Sequence, residues 1–320
     1  MTPREPAELL ALARQRSRTA LARLLTYVES GGLSQRDTAA LAYRMAPPYV
    51  VGLTGPPGAG KSTLTDRLLT TALAHGSFAG VGDFDQIGVL CVDPSSPFTG
   101  GAILGDRIRM QDHATNEQVF IRSMATRGHL GGLSLAVPDA LRVLGAADFH
   151  LALVETVGVG QMEVDIASAA DTTIVVTNPG WGDSMQANKA GLLEVADIFV
   201  INKADRPGVR ETRRDLEQML DLGGGHDWRP KILETVASTG AGSEELWEAI
   251  IAHRTFFEGA RHDQRRRQQI RGELDKVLSA ILRSRIGDLA HGAAYEAQLD
   301  DLVAGRTDPY HAAEALLSEP

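Results

Sequence analysis

GLTGPPGAGKSTL, residues 52–64, is the stretch that decides the fold of this chain. It fits the pattern G-x-x-x-x-G-K-[ST] through Gly55, Gly60, Lys61 and Ser62, and it lies between a short apolar run and leucines at helical spacing. The glycines allow the backbone to fold around phosphate oxygens with its N–H groups pointing inward, next to a helix N-terminus. We therefore expect Lys61 to reach the β- and γ-phosphates of a nucleotide, and the Ser62 hydroxyl to bind Mg²⁺.

Apolar runs alternate with helical patterns from residue 49 onward. Continuous apolar character, with helices between the runs, indicates parallel strands covered on both faces. The sequence therefore predicts a doubly wound, mostly parallel α/β sheet with its chemistry at the carboxyl ends of the strands. The predicted strands are residues 49–53, 87–92, 119–121, 149–154, 172–177, 198–201 and 231–236.

Composition limits the classes of partner and the compartment. The 320 residues are 43% hydrophobic and carry a formal charge of -9, which argues against a nucleic-acid partner held by bulk electrostatics. The single cysteine, Cys91, falls within an apolar run, so it predicts a buried strand residue and no disulfide framework. The charged N-terminus lacks a signal-peptide pattern, and no apolar run approaches the roughly 18 residues of a membrane span. We expect a cytoplasmic protein without a membrane partner.

Carboxylates follow two further predicted strands. Asp93 begins a loop rich in Pro, Ser and Gly, and Asp106 follows in GDRIRM. One of the two can hold Mg²⁺ through water while the other orients the attacking water, although a turn-capping role for Asp93 stays open. Glu155 directly follows the predicted strand 149–154 and is expected to serve Mg²⁺ through a water, while the Gly158 N–H is expected to sense the γ-phosphate.

The residue after Gly158 bears on the rate of hydrolysis. Small GTPases carry a glutamine there that orients the attacking water, whereas this chain has Val159. We expect weak intrinsic hydrolysis that a partner or another side chain must raise. The role of Gln161, two residues further on, stays open.

The tetrapeptide NKAD, which follows the predicted strand 198–201, identifies the base. The Asp205 carboxylate can accept hydrogen bonds from N1–H and the exocyclic amine of guanine, whereas adenine would face it with an acceptor. Lys203 is expected to lie along the base and Asn202 to brace the loop. Ser238 and Thr239, after the last strand, fit a backbone contact to guanine O6.

The loop NPGWGDSMQANKAG, residues 178–191, follows the strand 172–177 and leads into a helical pattern. Two glycines around an aromatic, with Asp183, Gln186 and Lys189 at near-helical spacing, suit a loop that docks a partner. The alternative is an ordinary β–α loop in which Asp183 caps the helix.

Together with RSMATRGHLGGLS at 122–134, these motifs resemble the ArgK/MeaB family, the methylmalonyl-CoA mutase-associated GTPases, over nearly the whole chain. The resemblance implies a homodimeric metallochaperone-type GTPase that binds GTP, GDP and Mg²⁺. It implies that the protein gates delivery of adenosylcobalamin to methylmalonyl-CoA mutase or a related acyl-CoA mutase and protects that mutase from inactivation.

The resemblance also assigns roles by position. It makes Asp93, Asp106 and Glu155 an acidic cluster at the metal and water, and makes the loop 178–191 a switch that meets the mutase. The predicted catalytic residues are Lys61, Asp93, Asp106 and Glu155, and the predicted metal ligands are Ser62, Asp93, Asp106 and Glu155. The predicted nucleotide-binding residues are Gly55, Gly58, Ala59, Gly60, Lys61, Ser62, Thr63, Gly158, Asn202, Lys203, Asp205, Ser238 and Thr239, and the predicted switch residues are Asp183, Gln186 and Lys189.

Three domains are predicted: a helical N-terminal extension (1–46), a P-loop GTPase domain (47–262) and a helical C-terminal dimerisation arm (263–320). Residues 7–29 predict one helix, and Ser34 with Asp37 predicts the start of a second. The arm carries a narrow apolar stripe within 264–286, which a dimer partner or the N-terminal helices must cover, and a short terminal helix over 312–317. The stripe consists of Ile270, Leu274, Val277 and Ile281.

Two other functions stay open from the residues. One is a nucleotide-dependent kinase linked to arginine or ornithine transport, although N-K-x-D disfavours ATP and no acceptor pocket is apparent. The other is a nickel-delivery GTPase, although the nine histidines are scattered and Cys91 is expected to be buried.

Overall fold

The computed structural model describes residues 5–78, 82–93, 113, 115–125, 136–156, 166–180, 194–222, 227–289 and 292–318. Within these residues, seven strands form one sheet in which every neighbouring pair is parallel. The strands are β1 (Tyr49–Thr54), β4 (Ile87–Asp93), β5 (Val119–Ala125), β6 (Leu151–Thr156), β7 (Thr172–Thr177), β8 (Ile198–Asn202) and β9 (Lys231–Thr235), in the order β5-β4-β6-β1-β7-β8-β9. Two short antiparallel strands, β2 (Ser77–Phe78) and β3 (Gly82–Asp83), form a separate two-stranded sheet. The predicted parallel α/β sheet is confirmed.

The helices lie before, between and after the strands. They are α1 (Pro6–Arg14), α2 (Arg18–Ser30), α3 (Gly32–Ala42), α4 (Lys61–His75), α5 (Ala136–Ala146), α6 (Val209–Leu222), α7 (Ser243–Phe256), α8 (Ala260–Leu289), α9 (Ala293–Val303) and α10 (Pro309–Ser318). No helix in the described ranges has the length and apolar character needed to span a membrane.

Helices cover both faces of the sheet, as the continuous apolar strands predict. On one face, leucines of α1 and α2 pack with α5 and with strand residues such as Val50 and Leu90. On the other face, leucines of α4 pack with Trp247 of α7 and with the opposite side of the same strands. Cys91 lies in this second layer and is buried, as expected.

The N-terminal helices differ from the prediction in two places. The single helix predicted over 7–29 is wrong, because the chain breaks at Arg16, whose φ of 66° is left-handed, and Ser17 then caps α2 by accepting a hydrogen bond from the Ala20 N–H (3.4 Å). The predicted start of the next helix at Ser34 is also wrong. The helix α3 begins at Gly32, so Ser34 lies within it and its carbonyl accepts a hydrogen bond from the Thr38 hydroxyl.

Strand and helix ends also shift where contacts between distant parts of the chain decide them. β5 continues to Ala125 because residues 122–125 stay paired with β4, and β6 begins only at Leu151 because the Phe149 N–H donates to the Leu144 carbonyl at the end of α5. The terminal helix α10 begins at Pro309, three residues before the predicted start. The Asp308 carboxylate caps it by accepting from two backbone N–H groups of its first turn.

The chain forms two compact units, Met1–Arg265 and Arg266–Pro320. The first unit contains the sheet together with α1, α2 and α3. The second contains the greater part of α8 with α9 and α10. On α8, Ile270 of the predicted stripe is partly buried. Six large apolar side chains further along the helix, which include the other three members of the stripe, are 41–57% exposed. These side chains are Leu274, Val277, Leu278, Ile281, Leu282 and Ile286.

Candidate functional site

The loop between β1 and α4 is shaped by glycines that no other residue can replace. Gly55 has a φ of 133°, and a Cβ there would lie 2.0 Å from the Val176 carbonyl oxygen of β7. Gly60 has a φ of 92°, and a Cβ there would lie 2.3 Å from the Asn202 side-chain nitrogen. Both positions combine a left-handed backbone with a close approach, so the loop can form only with glycine.

Lys61 is the first residue of α4 and turns its ammonium group back over the loop. Its Nζ donates to the carbonyls of Gly55 (2.7 Å) and Pro56 (3.0 Å). The positive charge therefore lies in the curve of the glycine-rich loop, at a helix N-terminus, where the combined field favours phosphate. Of the neighbouring residues, Ala59 in the loop is buried and Thr63 in the first turn of α4 is exposed.

Ser62 and Glu155 meet in the space beside this loop. The Ser62 hydroxyl donates to Glu155 Oε1 at 2.6 Å, and the Thr65 hydroxyl donates to Glu155 Oε2 at 3.3 Å. Glu155 is 3% exposed, near the end of β6. Because Ser62 directs its hydrogen to the carboxylate, its oxygen lone pairs remain for a cation, and oxygen donors of this kind suit Mg²⁺.

Asp93 ends β4, and its backbone lies one strand from Glu155. The register pairs Cys91 with Glu155 and Val92 with Thr156, so Asp93 is placed at the same carboxyl edge of the sheet. Several predicted residues lie outside the described ranges. These are Asp106, Gly158, Val159, Gln161, Asp183, Gln186 and Lys189.

Asn202 connects two parts of the candidate site. We call the glycine-rich segment between β1 and α4 (residues 55–60) the phosphate loop, and the turns that follow β8 and β9 (residues 203–206 and 236–240) the base-side loops. Its Nδ2 donates to the Ala59 carbonyl (2.8 Å), while its Oδ1 accepts from the Thr235 hydroxyl (3.1 Å) and the Ala237 N–H (3.1 Å). Asn202 is buried, so water cannot replace these partners. One side chain therefore holds the glycine-rich loop at a fixed distance from the segment 235–237.

Lys203 adds a second link to the phosphate loop. It has a left-handed φ of 59°, and its Nζ donates to the Gly58 carbonyl at 2.6 Å. Asp205 follows on an exposed turn, and Ser238 and Thr239 lie on a second exposed turn after β9. The Thr239 N–H donates to the Val236 carbonyl, which closes that second turn. The two turns follow the carboxyl ends of the neighbouring strands β8 and β9, so they lie at the same edge of the sheet.

The structure thus brings together the glycine loop, Lys61, Ser62, Glu155 and the NKAD turn. Sequence reasoning missed Thr65, which shares the Glu155 carboxylate with Ser62. The signal was available, since residues three apart on a helix lie on the same face.

A second group of buried polar side chains lies at the amino ends of β7 and β8. The Asp197 carboxylate accepts from both terminal nitrogens of Arg265 (3.1 and 2.8 Å) and from the Thr173 N–H (2.8 Å), and His253 Nε2 lies 3.1 Å from its Oδ1. Burial raises the pKa of the Asp197 carboxyl, but His253 and Arg265 together lower that pKa by more and leave it below its ordinary value. This group lies at the opposite edge of the sheet from the glycine loop, so we assign it a structural role.

Comparison with known proteins shows the family to which the chain is similar. Residues 21–289 match the model of the family described as methylmalonyl Co-A mutase-associated GTPase MeaB. A putative GTPase of Pyrococcus abyssi is 46% identical, with 98% of this chain and 96% of that protein aligned. GTPase ArgK of Escherichia coli is 37% identical over 82% of this chain and 80% of its own length. A crystal structure of an LAO/AO transport system kinase is also similar, with 26% identity, a TM-score of 0.71, and 99% of this chain and 97% of that one covered.

Proposed function

Because the chain belongs to the MeaB family of methylmalonyl-CoA mutase-associated GTPases, we propose that its GTP hydrolysis serves an adenosylcobalamin-dependent acyl-CoA mutase. In this proposal the protein gates delivery of adenosylcobalamin to methylmalonyl-CoA mutase or a related mutase, and protects that mutase from inactivation. The observation that carries the proposal is the match of residues 21–289 to a family defined by that association.

The roles of the nucleotide-site residues follow from their positions. Lys61 and the N–H groups of the loop hold the β- and γ-phosphates, and they oppose the charge that develops during transfer. Asp205 selects guanine by accepting its two N–H groups, Lys203 lies along the base, and Asn202 holds the two halves of the cradle at a fixed separation. Ser238 and Thr239 supply the backbone contact to guanine O6.

The donors beside the loop fit Mg²⁺. The Ser62 hydroxyl would hold it directly, and Glu155, together with Asp93 and Asp106, would act on it through water. Bound there, Mg²⁺ would supply positive charge that offsets the negative charge of the phosphates. Ser62 can keep its hydrogen bond to Glu155 in that arrangement, because the hydroxyl donates its proton to the carboxylate and offers a lone pair to the cation.

The partner supplies what the chain lacks for fast hydrolysis. With valine at 159, no glutamine orients the attacking water at that position, so the isolated protein hydrolyses GTP slowly. Binding of the mutase, through the loop 178–191 with Asp183, Gln186 and Lys189, raises the rate. A tenfold or greater increase in GTP turnover on adding the purified mutase is expected. A fast rate from the isolated chain, or no change with the mutase, would contradict the proposal.

The apolar stripe of α8 supports a homodimer. Its side chains repeat at spacings of three and four residues, which is the pattern of a helix that packs along a second helix. Placing glutamate at both Leu274 and Ile281 of the stripe is expected to convert the dimer to a monomer in sedimentation velocity. The same change at exposed Leu222, on α6, is the control and leaves the sedimentation coefficient unchanged.

A kinase is the second candidate, because the similar crystal structure is that of a transport system kinase. The two functions differ in where the γ-phosphate goes. With γ-labelled GTP, the GTPase proposal expects the label in free phosphate only. Label in a protein or small-molecule acceptor would favour the kinase.

A further inference from the structure

The Glu155 carboxylate is held by two hydroxyl groups from one face of α4. Ser62 donates to Oε1 at 2.6 Å, and Thr65, one turn further along, donates to Oε2 at 3.3 Å. Thr65 is 0% exposed and Glu155 is 3% exposed, so water cannot replace the threonine hydroxyl. Each carboxylate oxygen therefore has its own hydroxyl donor, and the plane of the carboxylate is fixed between them.

We propose that Thr65 is a positioning residue for the magnesium site, acting through Glu155. The inference rests on the proposed role of Ser62 and Glu155 in binding Mg²⁺. Thr65 holds Oε2, which keeps Oε1 toward Ser62. Ser62 then keeps its hydrogen on the carboxylate and its lone pairs toward the cation. Without the Thr65 hydroxyl, the carboxylate turns more freely and Ser62 loses its fixed orientation, so Mg²⁺ is bound more weakly.

A merely structural role for Thr65 would have a different signature. Removing a buried hydroxyl that serves only packing lowers the stability of the helix and weakens nucleotide binding equally with and without Mg²⁺. Removing a positioning hydroxyl shifts the Mg²⁺ concentration that tightens nucleotide binding, and leaves the metal-free affinity alone. The ratio of the two affinities therefore separates the two roles.

The experiment measures the affinity of the full chain for a fluorescent GDP analogue across a Mg²⁺ titration and in EDTA. In Thr65→Val the Mg²⁺ midpoint is expected to rise about three- to tenfold, the size expected for one hydrogen bond, while the EDTA affinity stays within about twofold. Thr65→Ser keeps the hydroxyl and stays within about twofold of the wild-type midpoint. Thr71→Val is the matched control, because it removes another buried threonine hydroxyl from α4, about 9 Å further along the helix axis.

Each outcome bears on a different statement. A wild-type midpoint retained by Thr65→Val, or equal weakening with and without Mg²⁺, overturns the role of Thr65 and leaves the magnesium proposal standing. No Mg²⁺ dependence in the wild-type chain overturns the magnesium site itself, and Thr65 with it. If Thr65→Val does not fold, Thr65→Ala removes the same hydroxyl with less crowding, and the same midpoint shift is expected of it.

Discussion

Asn202 is the residue through which the phosphate loop and the base-side loops support each other, and replacing it with alanine tests that directly. The side chain makes three hydrogen bonds in a buried position, one to the Ala59 carbonyl and two from the segment 235–237. The alanine variant removes all three and leaves the Ala59 carbonyl and the Ala237 N–H without these partners. The phosphate loop and the base-side loops are then no longer held at a fixed separation by the Asn202 side chain.

The expected magnitude follows from the number of bonds. A buried hydrogen bond contributes about 0.5–1.5 kcal/mol to stability. Removing the three bonds of Asn202 is therefore expected to lower the free energy of unfolding by about 2–4 kcal/mol. Because the same bonds hold the free cradle in its binding geometry, the loss in nucleotide affinity cannot exceed this sum. We expect GTP to bind about 10- to 100-fold more weakly, which corresponds to about 1.4–2.7 kcal/mol.

Two measurements on one preparation check this prediction. Urea unfolding gives the change in stability, and calorimetric titration with GTP gives the change in affinity. Thr235→Val is the graded control, since it removes one of the three bonds, and about 1 kcal/mol is expected to be lost from the unfolding free energy. GTP affinity within twofold of wild type in Asn202→Ala would refute the idea that Asn202 couples the two loops.

Two further predictions concern the base and the buried ion pair. Asp205→Asn is expected to move preference from GTP toward xanthosine triphosphate, because the amide donates to the O2 that replaces the guanine amine; unchanged guanine preference in competition binding would reject the base assignment. Asp197→Asn is expected to lose about 3–5 kcal/mol of unfolding free energy at pH 7, because Arg265 then lacks its buried partner. The pKa of Asp197 lies below its ordinary value in the folded chain, so the wild-type carboxylate stabilises the protein above about pH 4, and this contribution is lost as the pH falls through the folded pKa. The stability difference between wild type and variant should therefore shrink in acid, and a difference that grew below pH 4 would contradict the assignment.

Most strands could be predicted because each is marked by a short apolar run in the sequence itself, and because both faces of the sheet are covered by helices. Strands β1, β4, β7 and β8 are continuous apolar runs that lie in the middle of a sheet covered on both faces, and their positions match within a residue or so. β5 lies at the sheet edge, where pairing with β4 extends it past its apolar run through Arg122 and Ser123. Its end is decided by a neighbour distant in sequence, which no local pattern reports.

The helix breaks and the geometry of the site were harder to predict, because contacts between residues distant in sequence decide them too. The turn at Arg16 interrupts a helical apolar pattern that continues on both sides. The apolar spacing alone therefore predicts one continuous helix and gives no sign of the break. The phosphate and base motifs were found because their spacing is local. The sequence also predicted that Asn202 braces its loop. Its bond to the Ala59 carbonyl, and the bond of Thr65 to Glu155, join residues 143 and 90 positions apart, so these partners became visible only in the fold.

Calorimetric titration of the purified chain with nucleotides in the presence of Mg²⁺ tests the central claim most directly, since every role assigned to the residues between the glycine-rich loop and the NKAD turn requires a bound guanine nucleotide. One molecule of GTP or GDP per chain is predicted to bind, with ATP at least about 100-fold weaker because adenine places an acceptor against Asp205. Equal binding of ATP, or no heat of binding with either guanine nucleotide, would contradict the account.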